Sequence, residues 1–137
     1  MFRMLIMWLM YQASCKFNKA GTVPIYNNKI VMVDSMKHSN KLVLPKGNIK
    51  KHETDVEAAV RETIEESGAK GKLKMSEIFS HNGVKYFVLD VDRLENDYEE
   101  KGKRKRHLLT FDEVRHSKMI KKGLKKIIAS LEKKSTD

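Results

Sequence analysis

The segment 47-GNIKKHETDVEAAVRETIEESGA-69 decides the reading of this 137-residue chain, because it joins a glycine loop, a capped helix and a dense group of carboxylates. Both helix ends are signalled locally. Thr54 and Glu57 have capping-box spacing, in which the threonine oxygen takes a first-turn amide and the glutamate reaches back to the cap amide. Gly68 offers the left-handed residue on which a helix stops. Between them Val56, Ala59, Val60, Thr63 and Ile64 recur at helical spacing and predict the face that packs on a core. Glu62, Glu65 and Glu66 are offset by three and four positions. They therefore share a face spanning about 100°, expected to turn away from the apolar stripe.

Two carboxylates about 4 Å apart repel by about 4 kcal/mol at an effective dielectric near 20, and a cation reverses the sign of that interaction. Hard oxygen ligands of this kind suit Mg2+ or Mn2+, which keep several waters and bridge carboxylates to phosphate oxygens. A solvated acidic face is the plain alternative for an R-E-x-x-E-E helix, and the residues around it argue against that. Gly47, Glu53, Arg61, Glu62, Glu65, Glu66 and Gly68 fill every fixed polar and glycine position of G-x5-E-x7-R-E-U-x-E-E-x-G-U, where U is apolar. Thr63 and Ala69 are the soft matches, both at U positions.

On these residues the chain resembles the Nudix hydrolases. The resemblance implies an α/β fold, an α/β/α sandwich with a mixed sheet between helices. It implies hydrolysis of a nucleoside diphosphate linked to another moiety, or of a related phosphoanhydride. By motif position, Glu62 and Glu66 are implied as metal ligands with the Gly47 carbonyl, and Glu65 as a further ligand, direct or through water. Glu66 is the expected base, and Arg61, paired with Glu53, is expected to orient the cluster. The implied cofactor is Mg2+, with Mn2+ as a substitute. A metal so held neutralises diphosphate oxygens and lowers the pKa of a bound water.

The rest of the chain sets the context. Length and a composition of 40% hydrophobic and 34% charged residues describe one soluble globular domain. The 28 basic against 18 acidic residues leave a net charge of +10, which calls for an anionic partner: nucleic acid, phospholipid or a polyphosphate. The single cysteine, Cys15, excludes an internal disulfide framework and suits a reducing compartment, cytoplasmic or nuclear. The run Met1 to Tyr11 (MFRMLIMWLMY) is too short for a bilayer span of about 20 residues, and Arg3 is its only positive charge, a weak signal-peptide pattern. Residues 1–18 are expected to form an N-terminal extension, packed or loosely ordered. A single domain is expected over 19–133, with a frayed tail at 134–137.

Strand signals flank the helix. Ala20 to Tyr26 and Lys29 to Asp34 are strand-like around an Asn27-Asn28 turn, with Pro24 expected to confine the first to an edge or bulge. Lys41 to Leu44 is a short extended run leading into Pro45-Lys46-Gly47, read as a loop. Lys72 to Phe79 and Val84 to Val91 form a predicted hairpin around Asn82-Gly83, the second strand apolar enough to be central. His107 to Leu109 reads as a last strand. Thr110 and Glu113 repeat the capping-box spacing before a helical region with an Ile120, Leu124, Ile127, Ile128, Leu131 stripe, expected to fray from Glu132.

The Nudix box does not set the substrate. Val33 to His38 and Leu42 to Gly47, with the late Arg104-Lys105-Arg106 cluster, resemble the diphosphoinositol polyphosphate phosphohydrolases over about residues 19 to 115. Two departures stand out: His107 occupies the place of a glutamate after that cluster, and the hairpin at His81 to Lys85 is shorter. His81 itself reads as a turn residue. Between Lys101 and Lys126 there are 11 Lys or Arg residues against two acids, Asp112 and Glu113. A ring crowded with phosphates needs many charge-assisted hydrogen bonds, and the clamp candidates are Lys19, Ser35, Lys37, His38, Lys46, Arg104, Lys105 and Arg106. The implied partner is a small polyphosphorylated anion, with no membrane role. A dinucleoside polyphosphate or capped-RNA hydrolase is the alternative enzyme. A non-catalytic RNA- or polyphosphate-binding protein is the alternative class, disfavoured by the intact glutamates.

Overall fold

The computed structural model describes residues 17–135. The apolar run Met1 to Tyr11 and most of the expected N-terminal extension lie outside the described residues. Seven strands form one mixed sheet: β1 (Lys19–Tyr26), β2 (Lys29–Asp34), β3 (Leu42–Val43), β4 (Lys46–Asn48), β5 (Ala69–His81), β6 (Val84–Leu94) and β7 (Arg106–Thr110). Three helices complete the described chain: α1 (Asp55–Ser67), α2 (Phe111–His116) and α3 (Lys122–Ser135). The sheet runs β3-β2-β1-β6-β5, with β4 on β1 and β7 on β2.

The two hairpins follow from their turn residues. Asn27 and Asn28 have φ of 48° and 62°, and Asn82 and Gly83 have 48° and 75°, the positive values that match a two-residue turn to strand twist. β1 pairs in parallel with β6 over Lys19 to Ile25, whereas β1 and β2 pair only at Ile25 and Tyr26 with Ile30 and Lys29. Beyond that point they splay apart. β4 pairs with Lys19 to Gly21 on one side of the opening, and β3 pairs with Val33 and Asp34 on the other. The splay brings Pro45, Lys46 and Gly47 into the sheet beside α1.

Pro24 does not put β1 at an edge. The strand is interior, and Pro24 falls between the stretches paired with β4 and with β2. Thr22, two residues before it, gives its amide to the Pro45 carbonyl on that side at 3.1 Å. Amides two apart point the same way, so the missing N–H of Pro24 lies at the gap in the ladder, where no partner is denied a bond.

The layers are set by alternation along β1 and β6. Val23, Val84, Tyr86 and Val88 face a core with Ile30, Met32, Phe111, Val114, Ile120, Leu124 and Ile128, contributed by β2, α2, α3 and the segment between the two helices. Ala20 and Phe87 face the other way, against Ala58 and Ala59 of α1. Helices therefore cover both faces of the sheet, as an α/β/α sandwich requires. The C-terminal helical region is two helices broken at Ser117 to Lys121, and α3 continues past Glu132, whose carboxylate meets Arg115, to Ser135.

Candidate active site

α1 is built as its ends predict. The Thr54 hydroxyl accepts from the Glu57 amide and Glu57 returns a bond to the Thr54 amide, while Gly68 stops the helix at φ 72°. The buried face differs from the predicted one. Ala58, Ala59, Thr63, Glu66 and Ser67 are buried, whereas Val56, Val60 and Ile64 are half-buried on the outer flank. Glu66 is therefore not turned away from the core: it is 1% exposed. Positions 59, 63 and 66 share one helical face, and the small side chains at 59 and 63 leave room for the carboxylate to reach the splayed end of the sheet.

That carboxylate is received by the strand. The Lys46 amide donates to Glu66 Oε2 at 3.0 Å. Gly47 lies against Glu62, so closely that a Cβ there would stand 2.2 Å from the Glu62 carboxyl carbon. Arg61 spans the other acids: Nε meets Glu53 Oε2 at 2.7 Å, Nη2 meets Glu53 Oε1 at 2.9 Å, and Nη1 meets Glu62 at 2.8 Å and Glu65 at 3.1 Å. Nη2 also donates to the Asn48 carbonyl at 3.0 Å. The guanidinium thus ties the loop before the helix to its carboxylate face, and its own pKa is raised by Glu53 first. Glu53 in turn is held down to about 2, by the hydrogen bond from Arg61 first.

Oxygens of Glu62, Glu66 and Glu100 lie within 4.8 Å of one another, the one such acidic group found among the described residues. Glu100 is not among the ligands expected from the sequence; Glu65, expected as a further ligand directly or through water, lies outside this group and accepts from Arg61 Nη1 at 3.1 Å, as Glu62 does at 2.8 Å. The acidic loop 95–100 delivers Glu100, whose amide donates to the Glu65 carbonyl at 2.9 Å. Glu100 supplies a further carboxylate in a chain where His107 replaces the expected glutamate. His107 turns to Asp34, its Nε2 2.7 Å from Oδ1.

Electrostatics fit a hard cation here. Burial pushes the Glu66 carboxyl up to about 7, and Arg104 and the Lys46 amide offset only part of that. Burial also raises Glu62. Carboxylates that resist ionising side by side gain most from a divalent partner, and an all-oxygen donor set suits Mg2+ or Mn2+.

The clamp candidates separate into two clefts. Lys19, Ser35, Lys37, His38 and Lys46 line one cleft of about 200 Å³ together with His81 and Lys121, neither of which was expected there. His81 lies at the end of β5, its ring against Gly123 and its Nε2 buried with no hydrogen-bond partner. The Ser35 hydroxyl accepts from the amides of Lys37 and His38 at 3.2 and 3.1 Å and so shapes the loop that carries them. Burial lowers the Lys46 pKa, with Lys19 adding to the effect and Glu66 offsetting part of it.

Arg104, Lys105 and Arg106 line a second cleft with Asp34 and Tyr98. Arg106 is engaged there: Nη1 donates to the carbonyls of Ser67 and Glu95 at 2.9 and 2.8 Å, and the guanidinium lies 5.3 Å from the Tyr98 ring centre. Lys105 is exposed, with its amide on Asp34 Oδ2. Arg104 adjoins both regions, since it also lines a hollow with Ser35, Lys37 and Lys46.

The family model described as the NUDIX domain matches residues 16–131, and the chain belongs to that family. Mouse diphosphoinositol polyphosphate phosphohydrolases 3-alpha and 3-beta are each 33% identical over 79 residues, a match covering 53% of this chain and 48% of theirs. The match thus spans about half the length of these curated relatives. Among solved structures, a NUDIX hydrolase from Nitrosomonas europaea superposes with a TM-score of 0.62 at 22% identity, covering 84% of this chain and 87% of the other. A C. elegans Ap4A hydrolase binary complex gives 0.63 at 15% identity, covering 86% and 98%. These structural likenesses establish the fold.

Proposed function

We propose that the protein is a metal-dependent phosphohydrolase that cleaves phosphoanhydride bonds and acts best on diphosphoinositol polyphosphates, from which it removes the β-phosphate. The observation that carries this reading is a single residue shared by two surfaces. Lys46 lines the basic cleft through its side chain and holds Glu66 of the carboxylate group through its amide. Cutting and selecting groups therefore meet at one strand.

Glu62, Glu66 and Glu100 would hold a Mg2+ or Mn2+, which would neutralise diphosphate charge and make a bound water more acidic. The chain's own residues do the rest. Glu66, which motif position marks as the base, would take the proton of the attacking water. Arg61 fixes Glu62 and Glu65 in place through its bonds to Glu53 and Asn48. Lys19, Lys37, His38, Lys46 and Lys121 offer separate donors to phosphates around a compact ring.

Base recognition in a dinucleoside polyphosphate or an RNA cap favours aromatic stacking. Among the described residues of the basic cleft the only Phe, Tyr or Trp is Tyr86, which is 1% exposed and hence unable to offer a face. The inositol reading accords with this lining and with the mouse relatives. No described helix is long and apolar enough to cross a membrane. The test is a Mg2+-dependent hydrolysis panel of diphosphoinositol pentakisphosphate, diadenosine hexaphosphate, capped RNA and inorganic polyphosphate. Preference for the first supports the reading, and hydrolysis confined to the others overturns it.

A further inference from the structure

Two arginines neutralise the acidic residues of this site, and they are held differently. Arg61 makes five hydrogen bonds of 2.7 to 3.1 Å, four to carboxylates and one to the Asn48 carbonyl. Arg104 is tied more loosely. Its Nη1 stands 3.4 Å from Glu66 Oε1 and 3.0 Å from the Asp34 carbonyl, and its Nε stands 3.0 Å from Glu100 Oε1.

Glu66 and Glu100 are two of the three acids whose oxygens converge. A divalent cation held by Glu66 and Glu100 would share their carboxylates with the Arg104 guanidinium, and two cations on one carboxylate repel. The Lys46 amide on Glu66 Oε2 is uncharged and uses the other oxygen, so it does not compete in this way. Arg104 does.

We propose that Arg104 is an exchangeable counter-ion: a divalent cation engaging Glu66 and Glu100 displaces its guanidinium toward the hollow it shares with Ser35, Lys37 and Lys46, where it binds a phosphate of the substrate. This rests on the metal-dependent reading of the same site. Only the side chain has to move. The backbone beside it is pinned to β2, because the Lys105 amide bonds Asp34 Oδ2 at 3.0 Å, the Asp34 amide bonds the Lys105 carbonyl at 3.2 Å, and His107 holds Asp34 Oδ1 at 2.7 Å. The exchange makes metal and phosphate binding mutually supportive: the metal frees the arginine for the anion, and by linkage the anion favours the metal. Arg104 is then a positioning residue before the metal binds and a substrate contact afterwards.

The experiment follows the arginine directly. In the full chain labelled with 15N-arginine, the Arg104 Nε–H resonance is assigned by its loss in Arg104→Lys, and Mg2+ is titrated without substrate. The expected result is that this resonance shifts and exchanges faster with water as Mg2+ saturates, while that of Arg61 stays protected. Mg2+ binding that perturbs the Glu62 and Glu66 amides but leaves Arg104 unmoved overturns the exchange and spares the metal site. Failure of Mg2+ to bind at all overturns both. A second measurement uses Mn2+ titrated by electron paramagnetic resonance. Arg104→Met binds it about tenfold tighter than wild type, within the usual range of coupling between sites. Lys103→Met, which removes an exposed charge one residue away, changes affinity less than Arg104→Met does. Equal effects in the two variants reduce Arg104 to a general charge and overturn the proposal.

Discussion

A Cβ added to Gly47 would stand 2.2 Å from the carboxyl carbon of Glu62 and 2.4 Å from both its oxygens. The absent side chain at 47 leaves the place that the Glu62 carboxylate occupies against β4. Gly47→Ala must push the Glu62 carboxylate away from its place. The expected outcome is a loss of metal affinity and of turnover of about tenfold to a hundredfold, the range seen when residues supporting a metal site are lost. Calorimetric metal titration checks it, and unchanged affinity refutes the contact.

Glu66 yields a pH dependence with a definite sign. Its folded-state pKa is raised from an ordinary 4.5 to about 7 by burial, so the folded chain binds this proton more tightly than the unfolded chain does. Its contribution to stability is fully present below pH 4.5 and is lost as pH rises through about 7. With divalent metal chelated, Glu66→Gln should match wild type near pH 5 and exceed it at pH 8 by on the order of 2 kcal/mol. Denaturant melts at both pH values decide this. A Gln variant less stable than wild type at pH 8 contradicts it. The same variant should lose turnover by orders of magnitude.

Glu100 gives a separate test of the site's membership. Glu100→Gln keeps the shape of the side chain and should weaken Mn2+ binding by about tenfold or more, with melting behaviour little changed. Wild-type affinity removes Glu100 from the site.

What the sequence disclosed was local. Both ends of α1 could be read because Thr54, Glu57 and Gly68 carry their chemistry within a few residues, and the hairpins because Asn27-Asn28 and Asn82-Gly83 tolerate positive φ. Glu100 could not be found this way. It arrives from a remote acidic loop, held by a backbone bond to Glu65 that no side-chain pattern announces. The burial of Glu66 was legible in periodicity, with Ala59 and Thr63 on the same face, but its charge argued for solvent. β4 looked like loop because three residues with a proline before them and a glycine inside have no strand pattern. Only the splay of β1 from β2 recruits them.

Thr63, a soft match to an apolar position, is buried at 0% exposure and answers a second polar residue. Its hydroxyl donates to the Ala59 carbonyl at 2.7 Å and accepts from Thr22 at 2.7 Å. Thr63→Val should destabilise by about 1–3 kcal/mol because it strands the Thr22 hydroxyl, whereas Thr22→Val with Thr63→Val should be closer to neutral. A double-mutant cycle by chemical denaturation measures the difference. Additive losses contradict the pairing.

The central claim, that a Glu62–Glu66–Glu100 site cuts diphosphates presented by a basic cleft, is tested most directly by phosphorus NMR of diphosphoinositol pentakisphosphate with Mg2+. The account predicts orthophosphate release and loss of the diphosphate signal with wild type. Release should stop on chelation and fall by orders of magnitude in Glu66→Gln. An intact diphosphate under wild type with Mg2+, or equal release by the variant, contradicts it.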